Sequence, residues 1–263
     1  MNAAVNDLWL AMTNEARDYG RNEPVLASFY HASILNHANF ADALSFHIAS
    51  KVGCDSVPAM LIRDVFSEAF VNDPSIVNSA AMDIRAHYDR DPACDHYGMP
   101  FLYFKGFQAI QAYRIAHWLW TQNRESLALF LQNRIASVFD VDIHPAAVIG
   151  CGVMVDHATG LVIGETAVVG NNVSMLHSVT LGGCGSGPGP RHPHIRDGVL
   201  ISAGAKVLGN IVVGEGAKIA AGSVVLNSVA PHATVAGVPA KQVGVLSVDL
   251  PALNMDQYIN DDA

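Results

Sequence analysis

The sequence predicts an α+β protein in which a wholly helical N-terminal domain is followed by a parallel β-helix. Two observations predict this fold. Up to about residue 139, apolar residues recur at spacings of three and four, which is typical of packed amphipathic helices. From residue 141 an aliphatic residue recurs at every sixth position, a period that fits neither a helix nor an ordinary strand.

The helical pattern is clearest over residues 24–52 and 104–122. Asn72-Asp73-Pro74 and Asp91-Pro92 interrupt it, because Asp and Pro favour helix ends and starts. We expect six to eight helices before residue 140.

The six-residue period fits a parallel β-helix, in which three short strands form one coil of 18 residues. The aliphatic residue of each hexad points inward and stacks on its counterpart in the next coil, roughly 4.8 Å away. The pattern slips by two residues after position 161 and is interrupted after position 181. The thirteen positions on the repeat are Ile143, Ile149, Val155, Leu161, Ile163, Val169, Met175, Leu181, Ile201, Val207, Val213, Ile219 and Val225. About four coils are expected, over 143–160, 163–180, 201–218 and 219–236.

A glycine- and proline-rich stretch, GGCGSGPGPRHPHIRDG, interrupts the repeat and is expected to leave the β-helix as a loop over about 182–198. Long loops in a compact repeat are usually functional. A tolerated insertion is the alternative, but Arg and His near the end of the stretch disfavour it. The resulting organisation is a helical domain over 1–140, a β-helix over 141–241 and a C-terminal tail over 242–263.

Composition disfavours several classes of function. The net charge is −9 and no basic stripe is present, which argues against a nucleic-acid partner. No apolar run approaches the roughly 20 residues that span a bilayer, and the N-terminus does not resemble a signal peptide. Four scattered cysteines without a CxxC pair predict reduced thiols and a cytoplasmic protein. Only 15% of residues are charged, so part of the surface is expected to be buried against other subunits.

The hexapeptide pattern resembles the left-handed β-helix of a large acyltransferase family, and AGVPAK at 236–241 looks like that family's ending beside the pantetheine site. Within this family the chain is similar to the serine O-acetyltransferases over nearly its whole length. The segments that match are PVLASFYHA at 24–32, RDPACD at 90–95, FLYFKGFQAIQAYRIAHWLW at 101–120, VDIHPAAVIG at 141–150, VDHATGLVIGETAVVG at 155–170, SVTLGG at 178–183 and RHPHIRDGVLISAGAKVLGNI at 191–211.

The resemblance implies transfer of an acetyl group from acetyl-CoA to the hydroxyl of L-serine, giving O-acetyl-L-serine and CoA in the first step of cysteine synthesis. It implies acetyl-CoA as the co-substrate without a metal, and feedback inhibition by L-cysteine at the serine site. It also implies a homotrimer or a dimer of trimers joined through the helical domain, which would share in the serine site.

Such a reaction needs a general base, because an alkanol is too weak an acid to ionise near neutral pH. Histidine suits the task, since its pKa lies near the working pH. His157 lies two residues after the inward Val155 on a segment with no obvious packing role, and the family's catalytic histidine falls there. Asp142 lies close to one coil length earlier and is expected to orient His157 from the neighbouring turn, as the family's dyad does. A cap at the β-helix entry is the alternative role for Asp142.

The resemblance also assigns the residues that hold the serine. Arg191 would pair with its carboxylate through two parallel hydrogen bonds, with His192 beside it. Asp91, accompanied by Pro92, and Asp156 would face its ammonium. Without the resemblance, Asp91 is read as a helix N-cap.

Acetyl-CoA is expected along the outside of the β-helix, between neighbouring subunits. Gly183, Ala203 and Gly204 would contact the pantetheine arm through the backbone, since small residues allow close approach. Lys218 and Lys241 are candidates for the CoA phosphates, with solvated lysines as the alternative.

The chain departs from the family in two places. Ser186 and His194 stand where members often carry lysine, which puts contacts from the loop to the CoA phosphates in doubt. Many members end in an isoleucine that inserts into O-acetylserine sulfhydrylase, whereas this chain ends in YINDDA. Either the tail is shortened or that complex does not form in the usual way.

Three other functions are compatible with the six-residue period. A γ-type carbonic anhydrase needs three histidine ligands on zinc, of which only His157 and His177 have a suitable spacing. A non-catalytic scaffold would release no thiol from acetyl-CoA. A related acetyltransferase with a sugar or antibiotic acceptor is disfavoured by Asp91 and Arg191, because those acceptors lack an amino-acid head.

Overall fold

A computed structural model describes residues 3–185, 187, 189–246 and 250–259. Its N-terminal part contains eight α-helices, within the predicted range. They are α1 Ala3–Asn22, α2 Ala27–Tyr30, α3 Phe40–Val52, α4 Ala59–Asn72, α5 Ser75–Arg90, α6 Gly98–Tyr103, α7 Lys105–Thr121 and α8 Glu125–Phe139. None of the described helices is long and apolar enough to cross a membrane.

Both predicted interruptions are confirmed as helix boundaries. Between α4 and α5, the Asp73 carboxylate accepts hydrogen bonds from the backbone N–H of Ser75 at 3.0 Å and from its hydroxyl at 2.5 Å. These bonds satisfy a donor that the first turn of α5 leaves without a helical partner. Helix α5 ends at Arg90, and Asp91 turns the chain away in an extended conformation.

The second part is a left-handed parallel β-helix of about five turns. Its strands are β1 Val141–Ile143, β2 Val148–Ile149, β3 Met154–Val155, β4 Leu161–Ile163, β5 Val168–Val169, β6 Ser174–Met175, β7 Thr180–Gly182, β8 His194–Ile195, β9 Leu200–Ile201, β10 Lys206–Leu208, β11 Val212–Val213, β12 Lys218–Ile219, β13 Val224–Val225, β14 Ala233–Gly237 and β15 Ala240–Val245. Face A is the sheet β1-β4-β7-β10-β13, face B is β2-β5-β8-β11, and face C is β3-β6-β9-β12-β14. Strand β15 returns antiparallel to β14.

The inward stack follows the predicted hexads. All thirteen predicted aliphatic residues are buried, none more than 8% exposed. Ile143 pairs with Ile163, which pairs in turn with Leu181. The two-residue slip arises because β4 starts opposite β1 at Leu161, so the first coil is 20 residues long.

The structure has one coil more than the sequence predicted. Strand β8 lies inside the expected interruption, where Ile195 is buried and pairs with Val169 below and Val213 above. The hexad that contains Ile195 could not be recognised from the sequence, because the inserted loop separates β8 from β7. The chain leaves the β-helix after Gly182 and rejoins it at His194.

The helices pack directly on the first coil, through α5, α7 and α8 against β1 and β3. Asp83 and Arg114 form a buried ion pair of 2.7 Å at this junction. The Asp83 carboxylate also accepts from the N–H of Val153 at 2.9 Å, and Arg114 donates to the carbonyl of Gly150 at 2.7 Å. One hydrophobic cluster runs through both parts of the chain.

After β15 the described chain resumes as a short helix, α9 Pro251–Asn254, which lies over face C. Ser174 on that face donates a hydrogen bond of 2.9 Å to the carbonyl of Ala252. The tail therefore covers part of the outer surface of the β-helix.

Candidate active site

A cleft of about 350 Å³ lies where the helical domain meets the corner between faces C and A. Asp91, Asp156 and His157 line it, together with Phe104 and Lys105 from the helical domain. Three of the residues that the sequence analysis selected, on segments more than 60 positions apart, therefore share one cleft.

His157 is held on a tight corner between β3 and β4. It has a φ of 57°, and Ala158 follows with a φ of 61°. Two successive non-glycine residues in the left-handed region are unusual, and such strain concentrates at functional sites. The imidazole side chain is 73% exposed, and its Nε2 lies 3.5 Å from the Asp156 carboxylate.

His177 occupies the same corner one coil further on. The rings of His157 and His177 lie edge to face, with centroids 5.8 Å apart. The His177 Nδ1 is buried without a hydrogen-bond partner in the described structure. Its carbonyl accepts from the N–H of Gly204 at 3.0 Å, so Gly204 is next in the column. Sequence reasoning considered His177 only as a zinc ligand, although its spacing of 20 residues equals the length of the first coil.

Burial is the main cause of a raised pKa at Asp156, and the negative charge of Asp91 adds to it. The charges of His157 and His177 act in the opposite direction. Asp91 follows the last turn of α5, where its carboxylate accepts from the N–H of Ala93 at 2.9 Å. It therefore caps a turn after a helix rather than the start of one.

Arg191 and His192 lie on a different corner, between faces A and B. Arg191 forms an ion pair with Glu165. The Thr166 hydroxyl accepts from the N–H groups of Arg191 at 2.9 Å and His192 at 3.1 Å. Neither Glu165 nor Thr166 was selected from the sequence, because the loop hides which coil the Arg-His pair joins. The sequence did hold one signal for these two residues. GETA at 164–167 lies within VDHATGLVIGETAVVG, one of the segments that match the serine O-acetyltransferases.

The ring of His192 is fixed in one orientation. Its Nδ1 accepts from the N–H of Thr166 at 3.2 Å, which leaves the proton of the neutral ring on Nε2. A side chain at Gly164 would overlap this ring, so glycine is required there. Burial, followed by the charge of Arg191, lowers the pKa of His192 and favours the neutral form.

Asp142 does not reach His157 from the neighbouring turn. Its side chain points outward from face A, opposite Val162, and accepts a hydrogen bond of 2.8 Å from Gln132. Within the described parts of the chain no ion pair joins it to His157; the carboxylate beside that imidazole is Asp156. Asp142 lies on β1 just before the corner between faces A and B, and Glu165, the partner of Arg191, stands at the same corner one coil further on.

The small residues proposed to contact CoA lie in two separate places. Gly183 is exposed at the start of the loop, against the side chains of Arg191 and His192. Ala203 and Gly204 are partly exposed beyond His177, and Gly204 has a φ of 73°, which favours glycine.

The two candidate lysines differ in accessibility. Lys241 is exposed on β15. Lys218 is only 3% exposed, and its ammonium donates to the carbonyls of Tyr258 at 2.7 Å and Asp256 at 3.2 Å. This lysine thus anchors the tail. His194 lies half-buried on β8, whereas Ser186 and the chain end at 260–263 lie outside the described residues.

No group of three or more His, Cys, Asp or Glu side chains in the described structure is arranged to hold a metal ion. Among the residues that the structure describes, His157 and His177 therefore do not form such a group with a third side chain.

The left-handed hexapeptide β-helix, with His157 at one corner and Arg191 and His192 at another, defines the class of protein as a hexapeptide-repeat acyltransferase. Residues 192–227 match the bacterial transferase hexapeptide model, and residues 8–112 match the model of the serine acetyltransferase N-terminal domain. The chain is 58% identical to the serine acetyltransferase of Escherichia coli K12, over 96% of this chain and 93% of that protein. The chain belongs to the serine acetyltransferase family.

Solved structures of serine acetyltransferases have the same fold. One in complex with cysteine is 54% identical, with a TM-score of 0.95 over 97% of this chain and 99% of that chain. Another in complex with CoA is 55% identical, with a TM-score of 0.88 over 91% of this chain and 100% of that chain.

Proposed function

We propose that this serine O-acetyltransferase transfers the acetyl group directly from acetyl-CoA to the serine hydroxyl, with His157 as the general base. The imidazole would accept the hydroxyl proton as the oxygen attacks the thioester carbonyl. The imidazolium would then give that proton to the sulfur as the C–S bond breaks, so that CoA leaves as the thiol and the base is regenerated. General-base help of this kind contributes roughly 10²–10⁴-fold in rate. The exposed position of His157 in a cleft with two carboxylates supports this role.

Charged groups at the two corners suit the two ends of L-serine. Asp91 and Asp156 share the cleft with His157 and would hold the ammonium, with Pro92 fixing the turn at Asp91. Arg191, oriented by Glu165, would hold the carboxylate, and the Nε2–H of His192 would donate to the substrate.

His177 is the candidate donor to the thioester oxygen. It lies between the proposed base and Gly204, so the acetyl carbonyl of a cofactor contacting both neighbours would pass beside its ring. An N–H directed at the developing oxyanion stabilises the transition state more than the ground state.

The two corners belong to different edges of one β-helix, so we infer that a second copy of the chain completes the site. In a homotrimer, the corner with His157 would face the corner with Arg191 of the neighbouring subunit. Asp142, which lies with the Arg191 cluster, would then orient the histidine of the next copy. The observation that carries this proposal is the separation of the two clusters onto different corners.

A mixing experiment tests the composite site. His157→Ala and Arg191→Ala trimers, each inactive alone, are dissociated, mixed in equal amounts and reassembled. Random assembly should return about a quarter of the wild-type rate of CoA thiol release, since one site in four then combines two intact corners. A site built within one chain gives no recovery, which would refute the proposal. Wild-type protein taken through the same procedure is the control.

CoA is proposed to lie along the outside of the β-helix, with its pantetheine arm on Gly183, Ala203 and Gly204. Lys241 is free to meet the CoA phosphates. Lys218 could do so only after exchanging its bonds to the tail carbonyls.

We propose L-cysteine as the feedback inhibitor at the serine site, because it has the same charged ends as serine and a solved relative binds it. A dimer of trimers is proposed through the helical domain, where Val25, Met60 and Val71 are more than 70% exposed. Four unpaired cysteines support a cytoplasmic location.

A further inference from the structure

Arg90, the last residue of α5, carries a buried guanidinium that has no acidic partner among the described residues. The residue is 7% exposed. Nη1 donates to the Ser174 hydroxyl at 3.1 Å, and Nη2 donates to the Asn172 side-chain oxygen at 3.3 Å. Nε has no partner at all in the described structure. Only two of its five N–H donors are therefore matched, and both matches are neutral.

A buried cation in this state is unfavourable, because its lost hydration is not replaced by an opposite charge. Burial lowers the pKa of Arg90 to about 10, and the charges of Asp83 and Asp89 offset this only in part. The guanidinium still stays charged near neutral pH. Among the described residues no carboxylate lies within ion-pair distance of it, and Asp83 is already paired with Arg114.

A cleft of about 290 Å³ opens beside Arg90, between α5, the corner of the β-helix at Asn172 and helix α9. Met82, Ala86 and Leu253 give it an apolar wall. Two other charged residues line it, Asp89 and Arg85, of which Arg85 donates to the carbonyl of Ala4 at 2.9 Å. The cleft shares no residue with the one that contains His157.

We propose that this cleft binds a small organic carboxylate. Its carboxylate would accept from the N–H donors that Nη1 and Nη2 leave unmatched beyond Ser174 and Asn172, whereas Nε is itself fully buried. Its short hydrocarbon part would lie against Met82, Ala86 and Leu253. Such a ligand supplies the missing negative charge and also covers the apolar wall, which a bare inorganic anion does not.

Isothermal titration of the purified oligomer with butyrate tests the proposal, with chloride and inorganic phosphate as comparison ligands. The expected result is one butyrate per chain, and tighter binding than either inorganic anion. Arg90→Met should weaken butyrate binding at least ~10-fold, the loss of a charge-assisted pair.

Two further variants separate this cleft from other causes. Leu253→Trp fills the mouth from a half-exposed position and should weaken binding by a similar factor even if Arg90→Met folds poorly, whereas Leu129→Trp, equally exposed on α8, should leave it unchanged. Arg191→Ala should also leave it unchanged. Absence of butyrate binding, loss of binding in Arg191→Ala, or full binding in Leu253→Trp would each overturn the proposal. Tighter binding of phosphate than of butyrate would overturn the choice of a carboxylate.

Discussion

His157 and His177 lie edge to face on successive coils, with ring centroids 5.8 Å apart and an angle of 75° between the ring planes. The N–H of Gly204 on the following coil bonds to the carbonyl of His177. A proposed base, a second imidazole and a proposed pantetheine contact therefore form one column at a single corner. The period of the β-helix sets their separation, since each coil advances by one strand spacing.

The first prediction concerns His177. If its ring donates to the thioester oxygen, His177→Leu should lower kcat by ~10²–10³-fold, as does loss of one oxyanion donor elsewhere. The KM for serine should change little. His177→Gln keeps an N–H donor and should recover most of the rate. Steady-state kinetics measure both variants, and equal losses in the two would refute the donor role.

The second prediction concerns Asp156, whose pKa is raised chiefly by burial. The unfolded chain ionises this carboxyl near pH 3.8, whereas the folded chain ionises it only at higher pH. Folding stability is therefore lost as pH rises from the unfolded pKa to the folded pKa, and the loss stays constant above that window. Asp156→Asn should raise the Tm at pH 7, with a smaller gain at pH 4.5, while raising the KM for serine. Thermal scans at both pH values test the sign; a lower Tm at pH 7 would contradict it.

The fold was predictable from the sequence because the hexad period is a direct consequence of coil geometry. Each inward position had to be aliphatic, and all thirteen proved buried. Strand β8 was missed because a loop carries no period, so the register after it cannot be counted from the residues before it. Ile195 becomes recognisable only once Val169 and Val213 are seen on either side.

The candidate site was predictable only in part. Residue chemistry identified His157 and Arg191, but not which residues orient them. Glu165 and Thr166 precede the Arg-His pair by about 26 residues, a distance set by the loop rather than by the coil. The spacing of Asp142 from His157 suggested that the two side chains are in contact. Asp142 instead points outward from face A, and its carboxylate accepts a hydrogen bond from Gln132.

The third prediction concerns Gly106, near the start of α7. A Cβ at this position would overlap the backbone carbonyl of Val155, immediately before Asp156. Because backbone cannot move aside as a flexible side chain does, Gly106→Ala should push α7 away from β3 and displace the corner that holds His157. We expect kcat/KM to fall at least ~10-fold with the oligomer intact. Gly20→Ala, where a Cβ has room, is the matched control. Unchanged kinetics in Gly106→Ala would show that the packing at this junction is not needed for the site.

The last prediction concerns the ion pair between Asp83 and Arg114, which are 1% and 8% exposed in their side chains. Removing either partner leaves a buried charge unmatched, which costs about 3–5 kcal/mol. Arg114→Met and Asp83→Leu should therefore each lower stability strongly. The double variant, which buries no unpaired charge, should lose less than the sum of the two, with a coupling of at least ~1 kcal/mol. Urea unfolding of the four proteins measures this cycle. Additive losses would mean that the backbone bonds to Val153 and Gly150, rather than the ion pair, hold the helices on the β-helix.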